Sequence, residues 1–276
     1  MLKTCLTINE LDNFLALMKR QKVVIDVGNT NTVVGVYTGA EKLFWRIESN
    51  RKRTVDEYWS ILVSLAVNSG IDLSATSIAG MSCVVPKLTG VFRELSERYL
   101  PCEMINVTSE TDLGLTYPVS DPSYIGADLL VDAFSAVEKY RSNCIVCDFG
   151  SATTIQLTGA NRHFYGTVIC PGLQTSAEGL VDKAAQLTGV DFGGEFGLLG
   201  TSTGEAMLSG IIRGHALMID GFIKQLRDEF STLNPIKVVA TGGIAKLVSK
   251  YSELIDVVDE TLTLDGLALI LERYLN

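Results

Sequence analysis

The sequence predicts a mixed α/β protein built from two similar halves, and three observations carry that expectation. Apolar runs of strand length alternate with stretches of helical periodicity along the chain. A short segment near the start returns, almost unchanged, past the midpoint. The chain has 276 residues and is 47% hydrophobic, enough for two modest cores.

Taken in order, Leu11, Phe14, Leu15 and Met18 have helical spacing. They predict an amphipathic helix within an N-terminal extension, residues 1–22, ahead of the first strand. Strands are expected at 23–27 and 33–37, then a helix at 56–68, a strand at 78–85 and a helix at 128–141. The second half repeats the rhythm with strands at 144–148, 153–157 and 236–240 and helices at 204–230 and 265–275. Domain boundaries follow at 23–140 and 141–276.

The repeat sets Val24-Ile25-Asp26-Val27-Gly28-Asn29-Thr30-Asn31-Thr32 against Val146-Cys147-Asp148-Phe149-Gly150-Ser151-Ala152-Thr153-Thr154, with Asp, Gly and the last Thr in register. Each copy then reaches Thr-Gly-Ala, at 38–40 and 158–160, and an aromatic pair, Phe44-Trp45 or Phe164-Tyr165. Duplication of a strand-turn-strand unit is the simplest account. A turn of Gly with Thr, Ser and Asn can present backbone N–H groups and hydroxyls to an anion. A carboxylate beside it cannot bind phosphate, but it can hold the cation that bridges to phosphate or orient a nucleophile. One Asp-x-Gly is an ordinary turn signal; two in matching register point to nucleotide phosphates. Thr241-Gly242-Gly243 adds a close-approach turn between a strand and a helix.

Composition narrows the partners. A net charge of −9 argues against a nucleic-acid surface. No stretch resembles a signal peptide or reaches the ~18 apolar residues of a membrane span, so a cytoplasmic protein without membrane or nucleic-acid partners is expected. Cys144-Ile-Val-Cys147 lies inside an apolar run, where strand alternation points the two thiols to opposite faces; buried free cysteines are expected, not a redox or metal pair. His163 and His215 lack Cys at ligand spacing and read as surface or packing residues.

The order of motifs resembles the superfamily of sugar kinases, Hsp70 chaperones and actin, whose duplicated ribonuclease-H-like core closes on ATP with two domains facing a nucleotide cleft. Within it the chain is similar to the type III pantothenate kinases. The matching pieces are Ile25 to Thr32, Ser82-Cys83-Val84-Val85-Pro86, Gly126-Ala127-Asp128, Asp148 to Thr154, Pro171-Gly172-Leu173, Gly200 to Gly210, Thr241-Gly242-Gly243 and Leu262 to Leu267.

That resemblance implies ATP-dependent phosphorylation of pantothenate, the first committed step toward coenzyme A. It implies ATP contacts from Asp26, Val27, Gly28, Asn29, Thr30, Asn31, Thr32, Val33 and Ser151. It implies Mg2+ held through the phosphates at Asp26, and K+ or NH4+ at Asp148. Acceptor contacts would come from Gly126, Ala127, Asp128, Leu129 and Thr203, with Asp128 the general base. Read alone, Asp128 suits an N-cap for a helix beginning at Leu129.

The family's Arg after Gly-Ala-Asp is Leu129 here, which removes a fixed cation and five donors. Its Tyr seven residues before Gly-Ala-Asp is Val119, with Tyr117 and Tyr124 close by. These departures keep two alternatives open: a related small-alcohol kinase with an altered acceptor, and a non-catalytic nucleotide-binding accessory protein. The resemblance also implies a homodimer, for which the apolar helix Gly204 to Phe230 is a candidate interface.

Overall fold

The structure, a computed structural model, describes residues 20–119, 121–183 and 191–275. The expected helix around Leu11 to Met18 lies outside the described residues. The chain divides into two compact units. One comprises the described residues of Met1–Thr111, Ser123–Val131 and Thr263–Asn276; the other comprises those of Asp112–Pro122 and Asp132–Leu262.

In the first unit, β1 (Gln21–Val27), β2 (Asn31–Thr38) and β3 (Glu41–Glu48) form an antiparallel meander. Helix α1 (Val55–Asn68) leads to β4 (Thr76–Cys83), parallel to β1, and α2 (Pro86–Tyr99) leads to β5 (Met104–Asn106). The sheet order is β3-β2-β1-β4-β5. Thr54 starts α1 with a capping box: its Oγ1 accepts the Glu57 N–H, and Glu57 reaches back to the Thr54 N–H. Pro86 opens α2, where a missing N–H costs nothing. Alternate residues Val23, Ile25 and Val27 of β1 pack with Ala79 and Met81 of β4 and with Tyr58, Leu62, Leu88 and Phe92 of the two helices.

The second unit repeats this plan. β6 (Asn143–Phe149), β7 (Ala152–Thr158) and β8 (Phe164–Pro171) form the meander. β9 (Ile236–Thr241) runs parallel to β6, and β10 (Val257–Val258) runs parallel to β9. The order β8-β7-β6-β9-β10 matches the first sheet strand for strand. This is a duplicated ribonuclease-H-like fold. Between β8 and β9 lie α4 (Leu173–Lys183), α5 (Thr203–Leu208), a π-helical turn (Ser209–Arg213) and α6 (Gly214–Glu229). The expected single helix over 204–230 is therefore present with one wide turn in it. α3 (Ala127–Tyr140) precedes β6, α7 (Ala245–Ser249) follows β9, and α8 (Leu262–Tyr274) closes the chain. α8 is tied to the first sheet, where Asp265 accepts from the Tyr37 hydroxyl at 2.8 Å and from Lys42 at 2.7 Å.

Strand alternation disposes of the cysteine pair as expected: Cys147 packs in the core on one face of the second sheet and Cys144 in the cluster on the other. Both are free, and burial pushes the Cys144 thiol up to about 12.

Strand register corrects the sequence echo in two places. In the first hairpin Val27 faces Thr32; in the second Phe149 faces Thr153. The second turn is one residue shorter, so the structural counterpart of Thr32 is Thr153, not Thr154. The aromatic pairs are not counterparts either. Trp45 lies opposite Val34, whereas the matching place opposite Ile155 is held by Val168. The loop between β7 and β8 is longer than that between β2 and β3, and this shifts Phe164 to face Thr158.

Candidate active site

The first unit carries one acidic turn. Asp26 is the penultimate residue of β1, and the turn beyond it is closed by the Gly28 N–H to the Asn31 carbonyl at 3.0 Å. A Cβ on Gly28 would lie 3.1 Å from that carbonyl, so the turn has little room for a side chain there. The Thr30 carbonyl accepts the Ser49 N–H, and the Asn29 side chain accepts from Arg51 at 3.0 Å. Thr32 differs from its neighbours: it is fully buried, and its hydroxyl pairs with Ser49 Oγ at 2.8 Å. Val33 lies opposite Asp26 in the strand pair. Ser82 of β4 lies in register with Asp26 on the other side; its hydroxyl is buried and has no hydrogen-bond partner.

The Gly126-Ala127-Asp128 segment belongs to the same unit. The Val84 N–H bonds the Val27 carbonyl at 3.1 Å, and a Cβ on Gly126 would lie 3.7 Å from Val84. Asp128 is thereby held near the carboxyl ends of β1 and β4, two residues beyond a glycine whose bare Cα leaves space for its carboxylate. The helix begins at Ala127, two residues earlier than expected, so Asp128 sits inside the first turn and is not the N-cap. Its Oδ1 accepts the Leu129 N–H at 2.8 Å, the interaction that free N–H groups of a helix start favour. Burial pushes the Asp128 carboxyl above the ordinary range, and the Leu129 N–H and its own N–H pull it part of the way back.

Leu129 is 7% exposed and belongs to the core. Val119 is 44% and Tyr124 62% exposed; Tyr117 packs on Phe164 at 6.4 Å between ring centroids.

In the second unit the turn after Asp148 is closed by the Gly150 N–H to the Ala152 carbonyl at 3.0 Å. Three features hold it. The Ser151 carbonyl accepts from Thr175 Oγ1 at 2.7 Å and from the Gly172 N–H at 3.1 Å. A Cβ on Gly172 would fall 2.6 Å from that carbonyl oxygen. Thr153 accepts or donates at 2.9 Å to Nε2 of His215, a buried packing residue whose titration is pushed downward by desolvation. His163 bonds Thr116 instead.

Thr241 pairs with Asp148, and Gly242 follows at φ +91°, in the region that favours glycine. Asp148 Oδ1 and the Phe149 carbonyl oxygen, the latter at 2.6 Å, converge on the point a Gly242 Cβ would fill. Oxygen donors of this kind suit a hard cation. Among the described residues no three His, Cys, Asp or Glu cluster as a metal site. Thr203 is exposed at the start of α5, whose N-cap is Ser202. That acidic turns recur in each unit was legible in sequence; the supports from Ser49, Gly172 and Gly242 arise from pairings between distant segments.

Duplicated sheets, each with an acidic glycine turn at the end of its first strand, give the chain the actin-like ATPase fold. Solved structures share that fold. The ADPNP-bound activator of 2-hydroxyisocaproyl-CoA dehydratase from Clostridium difficile has a TM-score of 0.53 at 11% identity, over 92% of this chain and 95% of the other. Component A of (R)-2-hydroxyglutaryl-CoA dehydratase from Acidaminococcus fermentans has 0.51 at 14%, over 92% and 98%. At the level of sequence, residues 22–225 match the family model described as type III pantothenate kinase. Proteins of that name from Myxococcus xanthus and Roseiflexus castenholzii are 38% and 39% identical over 252 residues, 91% of this chain and 98% of each relative. The chain belongs to the type III pantothenate kinase family.

Proposed function

We propose that the chain transfers the terminal phosphoryl group of ATP to the primary hydroxyl of pantothenate, the first committed step toward coenzyme A. The observation that carries this reading is Asp128, a half-buried carboxyl held in one unit with the Asp26 turn and partly desolvated there. In this reading residues 26–33 meet the ATP phosphates and Ser151 contacts the nucleotide. Gly126, Ala127, Asp128, Leu129 and Thr203 meet the acceptor.

Asp128 orients the hydroxyl and accepts its proton as the new O–P bond forms and the bond from the terminal phosphorus to its bridging oxygen breaks. Its raised pKa makes it a better proton acceptor than an exposed carboxylate, provided that it is ionised. Asp26, with the unpartnered Ser82 hydroxyl beside it, fits a divalent ion carried by the phosphates; Asp148 with the Phe149 carbonyl fits K+ or NH4+. When bound, these ions neutralise charge that an acidic protein could not.

We further infer a cytoplasmic homodimer. Leu217 on α6 is 64% exposed, which supports that helix as an interface, and the one described helix long and apolar enough to cross a membrane, Thr203–Glu229, has more than half of its most apolar 18-residue stretch buried. Leu129 favours one second reading, an altered acceptor, because an apolar core residue cannot pair with pantothenate's carboxylate.

The test is ADP release and phosphopantothenate formation, read by mass spectrometry, with and without K+. Potassium-dependent product supports the proposal. Intact ATP binding with transfer only to other primary alcohols overturns its acceptor.

A further inference from the structure

The segment between β3 and α1 reads Glu48-Ser49-Asn50-Arg51-Lys52-Arg53, three successive cations in a chain of net charge −9. It is held firmly. The Ser49 N–H bonds the Thr30 carbonyl and its hydroxyl pairs with Thr32. The Asn50 N–H donates to the Tyr58 hydroxyl at 2.9 Å, which donates in turn to the Asn50 carbonyl at 3.1 Å. The Asn50 side chain and carbonyl close the turn by accepting the N–H groups of Lys52 and Arg53. Tyr58 is a fully buried core residue, so the loop is anchored to the sheet's own packing.

The three cations have different surroundings. Arg53 bonds the Glu48 carbonyl, pairs with the Glu48 carboxylate at 3.6 Å and lies over the Tyr58 ring. Lys52 is exposed. Arg51 reaches to the apex of the first turn, where Nη2 donates to Asn29 Oδ1 at 3.0 Å. Among the described residues no carboxylate pairs with Arg51. A neutral amide oxygen occupies one of its five donors, and the exposed guanidinium keeps the others for a further acceptor.

We propose that Arg51 is a phosphate-contacting residue of the nucleotide site, with Asn29 as its resting partner. On nucleotide binding the guanidinium exchanges the Asn29 oxygen for oxygens of the terminal phosphate. An anionic, bidentate acceptor is a stronger partner for a planar guanidinium than a single amide oxygen. The pinned loop means little backbone freedom is lost in making the contact. The assignment rests on the nucleotide reading of the Asp26 turn. It adds a charge that reads the terminal phosphate, and so a basis for preferring ATP to ADP.

The test is equilibrium binding of ATP and ADP, without acceptor, to wild type, Arg51→Ala, Arg51→Lys and Lys52→Ala. Arg51→Ala is expected to weaken ATP binding by roughly 10- to 100-fold, the usual effect of losing a hydrogen bond to a charged group, with a smaller loss for ADP. Arg51→Lys should restore part of the preference, and Lys52→Ala should leave the ATP-to-ADP ratio unchanged. An unchanged ratio in Arg51→Ala overturns the assignment, as does an equal loss in Lys52→Ala, which would mark a general field effect. If wild type binds neither nucleotide, the nucleotide reading itself fails and the assignment falls with it.

Discussion

Gly242→Ala is the most direct probe of how the second unit holds its acidic turn. Gly242 has φ +91°, and an added Cβ would fall against Asp148 Oδ1 and within 2.6–2.7 Å of the Phe149 backbone oxygen and nitrogen. The left-handed conformation alone costs an L-residue roughly 1–2 kcal/mol. Overpacking against backbone atoms, which cannot rotate away, adds about 1–3 kcal/mol. Reduced freedom of the unfolded chain offsets about 0.4–1 kcal/mol. The net loss is about 1–5 kcal/mol, or roughly 2–20 °C in melting temperature at about 2–4 °C per kcal/mol for a chain of this order. Urea unfolding followed by circular dichroism measures it. Gly179→Ala is the control: this glycine lies in α4 with nothing within 4 Å of its missing Cβ, so helix propensity predicts a gain of up to about 1 kcal/mol. Because Asp148 must move, Gly242→Ala should also weaken the K+ activation proposed above. A Gly242→Ala protein as stable as wild type would refute the close-approach argument.

Asp128→Asn should lower kcat by roughly 10²- to 10⁴-fold while nucleotide binding persists; a near-normal kcat would remove Asp128 from the role of base. Its raised pKa also has a sign for stability. The folded state holds the proton to higher pH than the unfolded chain, so Asp128 contributes stability at low pH that is lost as pH rises through its folded value. The Asn variant should therefore unfold at a higher temperature than wild type at neutral pH, and wild-type activity should fall on acidification at a higher pH than an ordinary carboxylate would give. Thr54→Ala should cost about 1 kcal/mol through loss of the capping box that starts α1, measurable by thermal unfolding.

Much of this protein lies in local pattern. The strands around Asp26 and Asp148, the helices over 56–68, 128–141 and 265–275, and the opposed faces of Cys144 and Cys147 follow from periods of 2.0 and 3.6 that need only neighbouring residues. The acidic glycine turns follow from residue type at the strand ends. Tertiary structure decided what depends on distant pairing. Turn and loop lengths, not residue identity, made Thr153 the counterpart of Thr32 and separated Phe164-Tyr165 from Phe44-Trp45. The packing of α8 on the first sheet, the approach of Gly242 to Asp148 and the reach of Arg51 to Asn29 join segments that no local period connects. The sequence by itself determined the two acidic glycine turns and the family. The fold decided which backbone groups and side chains hold those turns in place, because register and close approach are properties of assembled strands.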